Sequence, residues 1–141
     1  MNEWISELIA KDPVCPKPAA MEVIERVEQA LDCQIPYGYK EFLLASDGIS
    51  IEGAGRDCLR LLGCEAMLKD NAGYQVAEYV PDYLMIGNDG GDCFYFMKRN
   101  SPQDPEVFML LAGAFFEDEI ESMGPFGETF IRRFCGGEEA K

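Results

Sequence analysis

The chain has 141 residues, 48% of them hydrophobic, a composition too apolar for a disordered protein and long enough for one independent core. Twelve Lys and Arg against 26 Asp and Glu leave a net charge of −14, a field that repels nucleic acid and anionic membrane and attracts cationic partners. There is no histidine, which removes the commonest general base, the serine and cysteine triads and most zinc and iron sites.

From the N-terminus, Trp4, Ile5, Leu8 and Ile9 recur at helical spacing among Glu3, Glu7 and Lys11, predicting a short amphipathic helix over Met1–Lys11 that Asp12-Pro13 ends. This segment has no apolar h-region of a signal peptide, and no apolar run approaches the ~20 residues that span a bilayer. Pro13, Pro16 and Pro18 keep the chain extended, with Pro18 suited to the first turn of a helix. Over Ala19–Leu31 the residues Ala20, Ile24, Val27 and Leu31 share one face, and Glu22 and Arg26 stand as an i,i+4 pair on the other. Asp32–Ile35 reads as a linker. Pro36 opens a second helix to about Ser46, with Tyr39, Phe42 and Leu43 as its buried stripe and Gly48 just past its end.

Ile49–Gly55 reads as a loop and Cys58–Leu62 as the first strand. Cys64–Tyr79 is ambiguous: Glu65–Lys69 fits a helical turn, which Asn71-Ala72-Gly73 would break. Tyr83–Ile86 and Cys93–Met97 are apolar runs around Gly87-Asn88-Asp89-Gly90-Gly91-Asp92, the pattern of a hairpin whose glycines take positive φ. Val107–Ala112 is apolar on both faces, as an interior strand would be. Glu117–Glu121 is an acidic connector. Phe126–Phe134 reads as a closing helix, with Phe126, Phe130, Ile131 and Phe134 inward. Helices, then strands, then a helix give an α+β single domain: a helix and Pro-rich linker (1–18), a core (19–136) with a central mostly antiparallel sheet, and an acidic tail (137–141).

The six cysteines (Cys15, Cys33, Cys58, Cys64, Cys93 and Cys135) form no Cys-x-x-Cys pair, and reduced thiols in a cytoplasmic protein is favoured over a disulfide framework. Gly48-Ile49-Ser50-Ile51-Glu52 lacks the second glycine of a nucleophile elbow, and Gly53-Ala54-Gly55 lacks the third of a dinucleotide fingerprint. Asn88, Asp89 and Asp92 do not have the spacing of a calcium loop; turn residues bonding their own backbone is the favoured reading. Glu117-Asp118-Glu119-Ile120-Glu121 is either a solvated connector or the centre of a surface that docks a basic partner. Lys98-Arg99 and Arg132-Arg133 are too few for a nucleic-acid footprint.

The order of these pieces resembles the SUKH superfamily of immunity and regulatory proteins, which includes the fungal cell-wall-assembly regulators. The resemblance rests on the helix Val23–Leu31 leading into Ile35-Pro36-Tyr37-Gly38-Tyr39-Lys40-Glu41-Phe42-Leu43-Leu44, on Ser46-Asp47-Gly48 (Asp47 in place of the usual asparagine), on Leu84–Gly87 with Gly91–Phe96, and on Phe126–Phe134. It spans roughly Ala20 to Phe134. The departures are the N-terminal helix and the lack of a tryptophan in the middle of the chain.

The resemblance implies a cytoplasmic binding protein, an antidote to a toxin domain such as a nuclease or a nucleic-acid deaminase. It brings across no catalytic residue, cofactor or metal. A basic phosphate-binding groove on such a toxin would complement an acidic inhibitor. The candidate partner-binding residues are Asp89, Asp92, Glu117, Asp118, Glu119 and Glu121, on a monomer or weak homo-oligomer. The alternative is an intracellular scaffold or regulator like the fungal members. A hydrolase or metal enzyme using Asp89 and Asp92 ranks last.

Overall fold

A computed structural model describes residues 3–10, 17–52, 58–127 and 130. The N-terminal helix forms as α1 (Glu3–Ile9), with Ile5 fully buried. Helix α2 (Met21–Leu31) buries Ile24 and Val27 and ends on Asp32, whose φ of 54° reverses the chain. It begins after an Ala20 N-cap, so Pro18 precedes the helix and is not in its first turn. Glu22 and Arg26 do not close into an ion pair among the described residues. Glu28 instead holds α2 to α3 (Tyr37–Ala45), through Lys40 Nζ at 2.8 Å and the Ile35 N–H at 2.8 Å. Tyr39, Phe42 and Leu43 are buried on α3, the stripe expected from the sequence.

Among the described residues six strands form an antiparallel meander in which every strand lies beside its neighbour in sequence: β1 (Ile49–Glu52), β2 (Cys58–Leu61), β3 (Tyr83–Asn88), β4 (Cys93–Lys98), β5 (Glu106–Leu111) and β6 (Glu121–Pro125). The protein is α+β. Two strands correct the sequence reading. Ile49–Glu52 is a strand, not the start of a loop, because Ile49 and Ile51 alternate inward against Leu61 and Leu59. Glu121–Pro125 pairs with β5, although the sequence reading puts Glu121 at the end of the acidic connector and assigns 122–125 no element. Strand β5 lies between β4 and β6 and is interior, as its apolar run implied.

Both faces of β3 and β4 are covered, which explains apolar runs with no alternation. On one face Tyr39, Phe42, Phe126, Phe130 and Tyr95 form a chain of ring contacts with centroids 5.4–6.2 Å apart. On the other, Phe94 and Phe96 meet Phe115, and Phe94 meets Tyr74 at 5.0 Å. The expected closing helix lies mostly outside the described residues. Phe126 stands in a turn, its N–H donating to the Pro105 carbonyl, and both Phe126 and Phe130 are buried.

Helix α4 (Cys64–Gly73) corrects another expectation. Asn71-Ala72-Gly73 does not break the helix at Lys69, since the cost of a poor helix former is offset by contacts elsewhere. Asn71 is buried, with Nδ2 donating to the Met67 and Met85 carbonyls while Oδ1 accepts from the Met85 N–H at 2.9 Å. Strand β2 pairs only with Gly87 and Asn88 of β3, so Met85 has no strand partner on that side; the amide supplies one. A one-turn helix, α5 (Val76–Tyr79), then leads into β3.

Candidate functional site

The β3–β4 hairpin is held by its own polar residues. Asn88 Oδ1 accepts the Gly90 N–H at 2.8 Å, while Asp89 Oδ1 accepts those of Gly91 at 2.8 Å and Cys93 at 3.2 Å. These are side chains closing a turn on its own backbone; of the two glycines expected at positive φ, Gly90 takes it at 83° and Gly91 does not. Asp89 is therefore partly committed to architecture. Just beneath, Gly87 is forced by close approach: a Cβ there would sit 2.3 Å from the Arg60 carbonyl oxygen. The adjoining irregularity in β3 leaves the Ile86 carbonyl 3.0 Å from Tyr39 Oη, which also lies 2.6 Å from the Leu62 carbonyl.

In a meander, alternate connections emerge at the same end. The β3–β4 turn with Asp89 and Asp92 and the β5–β6 connection with Glu117, Asp118 and Glu119 therefore share one end of the sheet, where Glu121 begins β6. The Ala112 N–H donates to the Asp92 carbonyl at 2.7 Å and ties the two connections together. Glu117–Glu119 form a 3-10 turn, and they, Asp92 and Glu121 are exposed. None of the six acids forms an ion pair among the described residues, where the two ion pairs are Lys40–Glu28 and Lys98–Asp104. Six carboxylates from two stretches of the chain, 89–92 and 117–121, thus contribute to one negative end.

Beside this acidic end lies a pocket of about 350 Å³, lined by Tyr74, Tyr79, Ala112, Gly113, Phe115 and Phe116. Phe115 packs on Tyr74, Phe94 and Phe96, which brings it over the sheet face that carries Phe94 and Phe96. The cover is incomplete: Tyr74, Tyr79 and Phe116 are 45%, 52% and 55% exposed. Sequence reasoning missed this pocket. The available signal was Phe115-Phe116 directly before an acidic run, two large rings where no strand is predicted.

The four described cysteines, Cys33, Cys58, Cys64 and Cys93, are free thiols. Burial pushes the Cys64 thiol up to about 12, with a further upward contribution from Asp47. Burial also raises Cys33 and Cys93, against opposing hydrogen bonds from Arg99 and Tyr95 respectively. A protonated thiol is a poor nucleophile and metal ligand at neutral pH. Among the described residues no group of three Cys, Asp or Glu side chains is arranged to hold a metal ion, and no helix is long and apolar enough to cross a membrane.

Ser46-Asp47-Gly48, one of the resembling motifs, has a structural role. The Ser46 hydroxyl donates to the Gly48 carbonyl at 2.7 Å, and Asp47 Oδ1 accepts the Cys64 N–H at 2.7 Å. Gly63, the N-cap of α4, has no side chain to cap with, and Asp47 supplies the oxygen from another part of the chain.

No curated protein sequence matches the chain. The family model described as the SMI1 / KNR4 family (SUKH-1) matches residues 18–132, which hold the α2–α3 unit, the Ser46-Asp47-Gly48 junction and the whole sheet. The chain belongs to the SMI1 / KNR4 family, SUKH-1.

Proposed function

We propose that this protein is a cytoplasmic immunity protein that binds and neutralises a toxin domain, a nuclease or nucleic-acid deaminase, in a bacterial polymorphic toxin system. The observation that carries this reading is the family match over residues 18–132, since the bacterial proteins that the chain resembles are antidotes of this kind. The net charge of −14 supports it further, because an enzyme that grips nucleic acid presents a basic groove and an acidic inhibitor complements it. The reading assigns the protein no catalysis of its own. Its docking surface is the acidic end of the sheet formed by Asp89, Asp92, Glu117, Asp118, Glu119 and Glu121.

The same family match is compatible with a regulatory scaffold that organises several endogenous proteins. One experiment separates the two. The purified protein is mixed with the C-terminal domain of a large secreted protein encoded beside it, and the two are co-expressed to score growth. The immunity reading expects a stable complex, loss of the domain's activity and rescue of growth. Absence of binding to any neighbouring gene product, without rescue, overturns it; pull-down of several unrelated partners would then support the scaffold.

A further inference from the structure

The pocket beside the acidic turn has a composition that the acidic surface alone does not explain. Tyr74, Tyr79, Phe115 and Phe116 supply aromatic lining, and three of these rings are about half exposed. Such rings in water cost free energy that a folded domain ordinarily avoids by burying them. In protein interfaces, pockets lined by Tyr and Phe receive a single anchoring side chain of the partner and carry much of the affinity. The neighbouring chain sets the sign of that side chain: in sequence Phe116 is followed directly by Glu117, Asp118 and Glu119, and Tyr79 is preceded by Glu78, all exposed. Aromatic rings lining the pocket and exposed carboxylates next to them in sequence attract a cation twice over, through ring quadrupoles and through net charge.

We propose that this pocket receives an arginine side chain from a basic segment of a protein partner. This rests on the reading of the protein as a binder of a basic protein domain and names the anchor within that interface. Arginine fits better than lysine because its planar guanidinium stacks on aromatic rings, is less strongly hydrated than an ammonium, and still forks to a carboxylate such as those that adjoin the lining residues in sequence. Nucleic acid and anionic membrane are disfavoured as occupants by the charge of −14.

The test is a titration of the isotopically labelled full chain with N-acetylated tetra-arginine amide and, separately, tetra-lysine amide at low salt, followed by the backbone amide spectrum. Saturable shifts at Tyr79, Gly113 and Phe116 are expected, with tetra-arginine the tighter ligand. Tyr79→Ala and Phe116→Ala should each weaken tetra-arginine by about two- to fivefold, the worth of an exposed cation–π contact. Because both side chains are more than half exposed, both variants retain the wild-type fold, which the same spectra report. Equal affinity for the two peptides, unchanged in both variants and with shifts confined to the acidic residues, overturns the proposal.

The reading beneath it is tested separately with the toxin domain. If that domain is neutralised and Phe116→Ala leaves its affinity intact, the arginine pocket is wrong and the immunity function stands. If tetra-arginine seats at the pocket and no neighbouring domain binds, the pocket stands and the immunity function falls.

Discussion

Two aromatic clusters flank the same sheet, and their contrast separates what builds the fold from what is left for a partner. On one face Tyr39 and Phe42 of α3 are buried together with Phe126 and Phe130, and the Tyr39 hydroxyl lies in hydrogen-bond range of the Leu62 and Ile86 carbonyls. On the other, Phe94 and Phe96 are equally buried, yet the rings that meet them, Phe115 and Tyr74, are half-buried and exposed, and Phe116 next in the chain is exposed as well. Ring spacing is similar, 5.4–6.2 Å in the first and 5.0–6.1 Å in the second. What differs is the cover: a helix in one case, a short irregular segment in the other. Aromatic residues do not by themselves mark a core or a site; the completeness of their cover does.

The contrast can be broken at several points, the largest first. Phe42→Ala removes a fully buried ring and should cost about 3–5 kcal/mol in equilibrium denaturant unfolding. A cost below about 1 kcal/mol would mean that the α3 face is not the core.

Alkaline pH attacks the same side. The Cys64 thiol is pushed up to about 12 and burial holds the Tyr39 phenol well above its ordinary value, whereas in the unfolded chain such groups ionise near about 8.5 and about 10. Both are acids whose folded pKa is raised, so their contribution is intact below the unfolded value and is lost as pH climbs above it. Stability should therefore fall from about pH 8.5 to pH 12, by up to about 1.4 kcal/mol per pH unit for each group. Urea midpoints measured across that range check this, and Cys64→Ala should flatten the lower part of the decline.

Asn71→Ala leaves the Met85 N–H and carbonyl without their side-chain partners and should cost about 1–3 kcal/mol by the same unfolding measurement. The smallest effect is expected on the open face: Tyr79→Ala and Phe116→Ala should each change stability by no more than about 0.5 kcal/mol. A loss of several kcal/mol there would make the second cluster a second core and remove its availability to a partner.

What was legible in the sequence follows the range of the interactions. The hairpin of β3 and β4 could be read because its turn is closed locally, by Asn88 and Asp89 bonding amides two to four residues ahead. Helices α2 and α3 could be read from the periodicity of Ile24, Val27, Tyr39 and Phe42. Strand β6 could not, since Gly124 and Pro125 signal a turn and only pairing with β5 makes the segment a strand. Nor could the end of α4, where Asn71 stays helical because Met85 bonds it from 14 residues away. The six candidate acids were legible one by one. Their gathering at one end is a consequence of the meander, and the pocket beside them needs contacts among Tyr74, Phe94 and Phe115 that no local pattern announces.

The acidic, aromatic-lined end of the sheet is the surface proposed to meet a basic partner. The most direct measurement is the association rate with the toxin domain proposed as its partner, by stopped flow, as salt rises from 0.1 M to 1 M and the screening length shrinks from about 10 Å to about 3 Å. For the wild type the rate should fall steeply. Reversing Glu117, Asp118, Glu119 and Glu121 to Lys should abolish most of that salt dependence and slow association at low salt, while reversal of Glu22 and Glu25 on α2 has a smaller effect. A rate indifferent to salt, or an equal loss from both sets of reversals, would contradict the account and move the interface elsewhere.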